Sequence, residues 1–136
     1  MAASVLVDAG FLVALLSRRD THHAWSVAQT ERFPPPWHTC EAAISEVFHL
    51  LGRRGIPALG TLLQREAVTI AFDLDANLDP VLRLMRRYAD LPASLADVCL
   101  VRMSEILPDP VVMTTDADFR IYRRQGRRTV PCVTPP

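Results

Sequence analysis

Short apolar runs alternate along the chain with longer segments whose apolar residues recur at helical spacing. The first run, residues 4–8, ends in Asp8, and Gly10 then opens an apolar stretch over residues 11–16, which predicts a strand, a turn and a helix. Thr39 is predicted to cap a helix that ends at Gly52. The same patterns predict strands over 37–39, 68–72, 111–115 and 129–133, and helices over 22–33, 57–65, 77–88, 94–107 and 119–124.

The order of these elements indicates the fold class. One or two helices separate most strands from the next, and no repeat, low-complexity tract or linker divides the chain. This alternation is typical of an α/β sandwich with a central, mostly parallel sheet. Residues 1–136 are therefore predicted to form a single domain.

Composition narrows the function classes that remain. The formal net charge is +0, so binding of nucleic acid through bulk basicity is not expected, and a polyanion would need a local patch or a metal ion. The chain contains no lysine. This excludes Walker-type phosphate loops, Schiff-base chemistry and lysine general bases.

The cysteines and the beginning of the chain bear on its compartment. Cys40, Cys99 and Cys132 are far apart and lack metal-ligand spacing, so neither a disulfide scaffold nor a structural zinc site is expected. No signal peptide is predicted, and no apolar run approaches the roughly 20 residues that cross a bilayer. The expectation is a cytoplasmic protein without membrane contact.

Acidic residues occur where the predicted fold makes them costly. Asp8 ends the first strand, and Asp116 and Asp118 follow the strand that begins at Val111. In open parallel sheets, ligands bind beyond these carboxyl ends. Asp97 and Glu46 lie near helix N-termini, which point to the same edge because crossover helices run antiparallel to the strands.

Carboxylates gathered at one edge repel one another, and a hard cation would neutralise that repulsion. Mg²⁺ or Mn²⁺, which prefer oxygen ligands and keep several waters, are the expected occupants. Such a centre supports attack of metal-activated water on a phosphodiester. The acidic residues therefore predict a metal-dependent phosphodiester hydrolase.

Four segments of the sequence together resemble the acidic motifs of PIN-domain ribonucleases, and the similarity is greatest to VapC-type toxins of bacterial toxin-antitoxin pairs. The resemblance extends over nearly the whole chain. The segments are Val7 and Asp8 with residues 12–16, Ser45 with Glu46, residues 95–97, and residues 114–119.

The resemblance implies a three-layer sandwich, a Mg²⁺- or Mn²⁺-dependent endoribonuclease, a homodimer, and an antitoxin that inserts a peptide into the acidic groove. It also implies a metal-binding and catalytic set of Asp8, Glu46, Asp97 and Asp116, with Asp118 as an auxiliary metal-binding acid. Many members carry Ser or Thr two residues after the first Asp, whereas this chain has Gly10. The chain is therefore expected to lack the hydroxyl that holds a metal-bound water in those members.

Each acidic residue also has a structural explanation. Asp97 follows Ser94 in a capping-box pattern, and Asp116 and Asp118 are possible caps of the following helix. Glu46 could pair with a nearby arginine. Asp8 is the hardest to explain structurally, because a carboxylate at the end of an apolar strand needs compensation.

Arginines near the C-terminus form the candidate RNA contact. Arg123, Arg124, Arg127 and Arg128 follow Asp116 closely and could hold RNA phosphates beside the cleavage point. Solvated surface positions explain them equally well.

Two other functions remain open on the sequence alone. The first is a catalytically weak PIN-like module that binds RNA or protein, for which Gly10 would be the first sign of decay. The second is a metal-dependent phosphatase on a related α/β frame. Apolar residues over 11–16 and 56–63 exceed what a small core needs, and they could form a dimer surface.

Overall fold

The computed structural model describes residues 3–136. Five strands of this range form one sheet in the order β3-β2-β1-β4-β7, and each neighbouring pair is parallel. β5 and β6 form a separate antiparallel hairpin. The predicted α/β class with a central parallel sheet is confirmed. The strands are β1 (Ser4–Val7), β2 (Trp37–Thr39), β3 (Val68–Ile70), β4 (Pro110–Met113), β5 (Arg123–Arg124), β6 (Arg128–Thr129) and β7 (Cys132–Val133).

Helices connect the strands and cover both faces of the sheet. Alternate side chains of β1 enter different cores: Leu6 packs in a cluster with Leu100, whereas Val7 packs in a second cluster with Leu12 and Leu59. The molecule therefore has three layers. The helices are α1 (Ala9–Leu16), α2 (His23–Arg32), α3 (Glu41–Leu51), α4 (Gly55–Gln64), α5 (Leu78–Arg87) and α6 (Leu95–Ile106), with 3₁₀ turns at Gly52–Arg54, Asp75–Asn77 and Ala117–Arg120.

Two helix boundaries set where α1 begins and where α3 ends. Asp8 directly follows β1 and caps α1, so that strand and helix meet at a single residue. The end of α3 is set by Gly52, whose φ of 62° lies in the left-handed region that glycine adopts without a Cβ penalty. α1 and α3 therefore begin where β1 and β2 end, at the carboxyl edge of the sheet, and Gly52 ends α3 away from that edge.

The sequence-based prediction was wrong in the C-terminal segment. In place of a helix over 119–124, the chain forms the 3₁₀ turn Ala117–Arg120 and then β5. The guanidinium of Arg123 donates hydrogen bonds to the carbonyls of Arg120, Ile121 and Tyr122, which stops the turn from continuing. The single strand predicted over 129–133 is divided into β6 and β7.

Thr39 was also predicted to cap α3, and it does not. Cys40 is the N-cap, while the fully buried Thr39 hydroxyl donates to the carbonyl of Val7 at 2.7 Å. Thr39 is the last residue of β2, one position before the N-cap, so its side chain faces the neighbouring strand end and not the first turn of α3. The bond ties the ends of β1 and β2 together beside Asp8.

The proposed dimer surfaces differ in their exposure. Phe11 and Leu12 of α1 are buried inside the chain, so this helix has little apolar surface to share. On α3 and α4, by contrast, Leu50 and Ile56 are 58% and 63% exposed. In the described part of the chain, none of the helices is both long and apolar enough to cross a bilayer.

Candidate active site

Asp8 lies at the centre of the sheet's carboxyl edge and is almost fully buried, with 5% of its surface exposed. Its Oδ1 accepts a hydrogen bond of 2.7 Å from the backbone N–H of Phe11, and its Oδ2 accepts one from the hydroxyl of Thr114. Both carboxylate oxygens are therefore held by the protein. These bonds supply the compensation that a buried carboxylate at a strand end requires.

Asp116 reaches the same edge from the neighbouring strand β4. The Thr114 hydroxyl that donates to Asp8 also accepts a 2.8 Å hydrogen bond from the N–H of Asp116. Asp116 Oδ1 in turn accepts from the N–H of Asp118 at 2.9 Å, which caps the 3₁₀ turn. The buried hydroxyl of Thr114 thus links Asp8 to the segment that carries Asp116 and Asp118.

Asp97 lies in the first turn of α6. Ser94 Oγ accepts from the N–H of Asp97 at 3.1 Å, and Asp97 Oδ2 accepts from the N–H of Ser94 at 3.0 Å. The capping box predicted from the sequence is therefore present. It fixes the position of the Asp97 carboxylate relative to the start of the helix.

The four principal acids share one cavity of about 250 Å³. Glu46, on the second turn of α3, reaches it from an exposed position, whereas Asp118 does not line it. The structure thus brings together the residues that the sequence predicted to act together. The lining consists of Asp8, Ala9, Gly10, Glu46, Pro92, Ser94, Ala96, Asp97 and Asp116.

Burial and crowding perturb two of these acids. Burial raises the pKa of Asp8 to about 7, although its hydrogen bonds from Thr114 and Phe11 oppose the rise; the negative charges of Asp97 and Asp116 add to it. The pKa of Asp97 is also raised, first by burial and then by the charges of Asp116 and Asp118, against the lowering effect of the bonds from Ser94. Bringing these carboxylates together therefore costs free energy that a cation would offset.

The donor set fits a hard divalent cation. Carboxylate oxygens are the ligands that Mg²⁺ and Mn²⁺ prefer, and Mg²⁺ completes its shell with water. Within residues 3–136, however, no three side chains of His, Cys, Asp or Glu are close enough together to hold an ion as they stand. Ligation therefore requires movement, which the exposed side chain of Glu46 has room to make.

The C-terminal arginines do not line the cavity. Arg124 donates to the carbonyl of Ser104 at 2.6 Å, and Ser104 lies seven residues after Asp97 on α6, or roughly 10 Å along the helix axis. The β5–β6 hairpin is therefore beside the other end of α6. Arg127 and Arg128 are exposed there.

Thr114 is the functional residue that sequence reasoning overlooked. The sequence places it only within the segment 114–119, yet its fully buried hydroxyl joins Asp8 to Asp116. A hydroxyl at the end of an apolar strand, two residues before an acid, is the signal that could have identified it. Pro92 and Ser94 likewise line the cavity without having been assigned to it.

Residues 5–125 match the family model described as PIN domain. The chain belongs to the PIN domain family. PIN domains are typically nucleases, which hydrolyse phosphodiester bonds, and they generally use divalent metal ions. No curated protein matches the chain.

Proposed function

We propose that this PIN domain is a Mg²⁺- or Mn²⁺-dependent endoribonuclease and the toxin of a VapC-type toxin-antitoxin pair. The observation that carries the proposal is the single cavity lined by Asp8, Glu46, Asp97 and Asp116 at the carboxyl edge of the sheet. Carboxylates gathered in one small cavity repel one another, and positive charge that entered the cavity would relieve this repulsion.

The four lining acids would hold the cation, with Asp118 as an auxiliary acid whose charge adds to the site. A bound divalent ion supplies a water of lowered pKa and neutralises charge on the phosphodiester. The chain's own contribution is positional. Backbone N–H groups hold Asp8, Asp97 and Asp116, and Asp8 must release its proton before it can act as a ligand.

RNA would enter at the exposed side of Glu46 and run towards the β5–β6 hairpin. Arg123 and Arg124 have guanidinium hydrogen bonds to backbone carbonyls, which leave their charge in place but occupy part of their donors. Arg127 and Arg128 are exposed and would contact phosphates a few nucleotides from the cleavage point.

Replacing both Arg127 and Arg128 with Ala should weaken RNA binding and lower its salt dependence. Each lost phosphate contact is expected to reduce the slope of log K against log salt concentration by about 0.7 to 1. The slope is measured by fluorescence anisotropy with a labelled single-stranded RNA and the Asp8→Asn protein, so that no cleavage occurs.

The matched control is the double change of Arg18 and Arg19 to Ala. These adjacent arginines are exposed and follow the C-terminus of α1, whereas Asp8 caps its N-terminus about 12 Å away. The control removes the same charge from the end of α1, which packs in the core cluster on the opposite face of the sheet from α6. If the two double variants had equal slopes of log K against log salt concentration, the β5–β6 hairpin would not contact the RNA.

The remaining parts of the proposal concern partners and compartment. A cognate antitoxin would place a basic peptide side chain in the acidic cavity. Exposed Leu50 and Ile56 support a homodimer that covers α3 and α4. The protein would act in the cytoplasm as a single domain over residues 1–136, without membrane contact.

Cleavage of a mixed RNA pool tests the function directly. The purified protein should cut RNA with Mg²⁺ or Mn²⁺ and lose all cutting in excess chelator. The Asp97→Asn variant should be inactive yet folded, because the amide oxygen of the introduced asparagine can still accept from Ser94 and preserve the cap. Asp79→Asn, an equal change at an exposed acid on α5, should retain wild-type activity.

Other outcomes distinguish the alternatives. Metal-independent binding of RNA or protein without cleavage would identify a binding module. Metal-dependent release of phosphate from a small phosphate ester, with RNA left intact, would identify a phosphatase. Equal activity of the Asp97→Asn and wild-type proteins would contradict the assignment of the site.

A further inference from the structure

Thr115 occupies the space that a side chain at position 10 would fill. Gly10 lines the acidic cavity, and a Cβ built on it would overlap the Oγ1 of Thr115. Asp8 Oδ1 lies 3.6 Å from the same point. The hydroxyl of Thr115 and one oxygen of the central acid therefore lie around one position beside Gly10, which lines the cavity, whereas Thr115 itself is behind that lining.

The hydroxyl of Thr115 is separate from the network that holds the acids. Thr114 donates to Asp8 and accepts from Asp116, and Asp116 accepts from Asp118, without any contribution from Thr115. Thr115 is only half-buried, so water can reach its side chain. A hydroxyl can donate one hydrogen bond and accept two, which suits it to hold a water.

The Thr115 hydroxyl, as it lies in this structure, and a side chain at position 10 would occupy the same space. Any side chain at position 10 would displace the Thr115 hydroxyl, and the absence of a side chain at Gly10 is what admits it. The Cβ of Thr115, by contrast, is 3.6 Å from the Cβ position of residue 10, an ordinary van der Waals contact. A hydroxyl can therefore occupy this one space from position 115 or from position 10, but not from both at once.

We propose that Thr115 is a positioning residue of this centre, and that its hydroxyl holds a water beside Asp8 that completes the shell of a bound divalent cation. The proposal rests on the metal-dependent activity proposed above. It gives Gly10 a specific role, which is to leave room for the hydroxyl. It also replaces the expectation that this chain lacks a hydroxyl at the site.

Three substitutions at Thr115 test the proposal by metal binding in the absence of RNA. The quantity measured is the Mn²⁺ concentration at half-saturation, called here the Mn²⁺ midpoint. It is obtained from the metal-induced rise in Tm and from isothermal titration calorimetry. Thr115→Ala and Thr115→Val should raise the midpoint by about tenfold, the usual cost of losing a group that orients metal ligands. Thr115→Ser should stay near wild type, because it retains the hydroxyl.

The melting temperature of the metal-free protein separates this role from packing. Thr115→Val fills nearly the same volume as threonine, so its metal-free Tm should match that of wild type while its Mn²⁺ midpoint rises. A wild-type Mn²⁺ midpoint for Thr115→Val would overturn the proposal.

A hydroxyl exchange between the two positions is the sharper test. Adding Gly10→Ser to Thr115→Ala places a hydroxyl on the other side of the same space, and it should recover most of the Mn²⁺ affinity that Thr115→Ala loses. Adding Gly10→Ala to Thr115→Ala is the matched control, with a Cβ but no hydroxyl, and it should recover none. Equal midpoints for the two double variants would refute the proposal.

Failure of this inference is distinguishable from failure of the proposed function. If Mn²⁺ stabilises the wild-type protein but RNA stays intact, the nuclease proposal fails while the Thr115 variants still report on the water. If RNA is cleaved with metal and the Thr115 variants bind Mn²⁺ normally, only the Thr115 proposal fails. Absence of any Mn²⁺ effect on the wild type would overturn both.

Discussion

Replacing Asp8 with Asn should abolish metal-dependent RNA cleavage while the metal-free protein stays folded. Loss of a central ligand removes several kcal/mol of transition-state stabilisation, which corresponds to roughly a thousandfold or more in rate. The loss is measured as the single-turnover rate at saturating Mn²⁺. The Asp79→Asn protein provides the reference for an equal change of charge at an exposed position.

The contacts of Asp8 explain why the Asp8→Asn variant should fold. The amide oxygen of the introduced asparagine can accept from the N–H of Phe11, as Asp8 Oδ1 does. Its amide nitrogen can donate to Thr114, whose hydroxyl has a second lone pair beside the one that accepts from Asp116. An unfolded variant would show instead that the carboxylate itself holds β1 and β4 together.

The unfolding free energy of the metal-free protein should decrease as the pH rises from 5 to 8. Burial, more than any other cause, raises the pKa of Asp8 from 3.8 to about 7. Between these values the folded protein keeps a proton that the unfolded chain has lost, so stability is highest near and below pH 4 and is lost as the pH rises through 7. The expected decrease attributable to Asp8 over this range is about 3 kcal/mol.

Chemical denaturation in chelator at several pH values measures this decrease. The other ionisable groups also titrate, so the quantity of interest is the difference between wild type and the Asp8→Asn variant. That variant should lose most of the dependence. Parallel stability curves for the two proteins would show that Asp8 is already ionised in the metal-free fold.

Much of the site was predictable because the positions of its acids follow from patterns of neighbouring residues in the sequence. An apolar run that stops at an acid marks a strand end, and this placed Asp8 and Asp116 at one edge. A serine three residues before Asp97 marked the start of α6. These signals depend only on neighbouring residues, and the parallel sheet converts them into proximity.

The parts that were not predictable depend on contacts between distant segments. The bond from Thr114 to Asp8 joins residues 106 positions apart, and the bond from Arg124 to Ser104 fixes the hairpin on α6. β5 and β6 consist of short polar segments, so they lack the apolar alternation that identifies a strand. The space shared by Gly10 and Thr115 likewise becomes visible only in three dimensions.

Three of the four cavity acids are also helix caps. Asp8 caps α1, Asp97 completes the capping box of α6, and Asp116 caps a 3₁₀ turn, whereas Glu46 lies within α3. Selection for folding alone would therefore preserve a capping side chain, Asp or Asn, at three of these positions in a lineage that had abandoned catalysis, but it would not preserve Glu46. In related sequences, retention of Glu46 would therefore indicate retained catalytic activity better than retention of the three capping residues would.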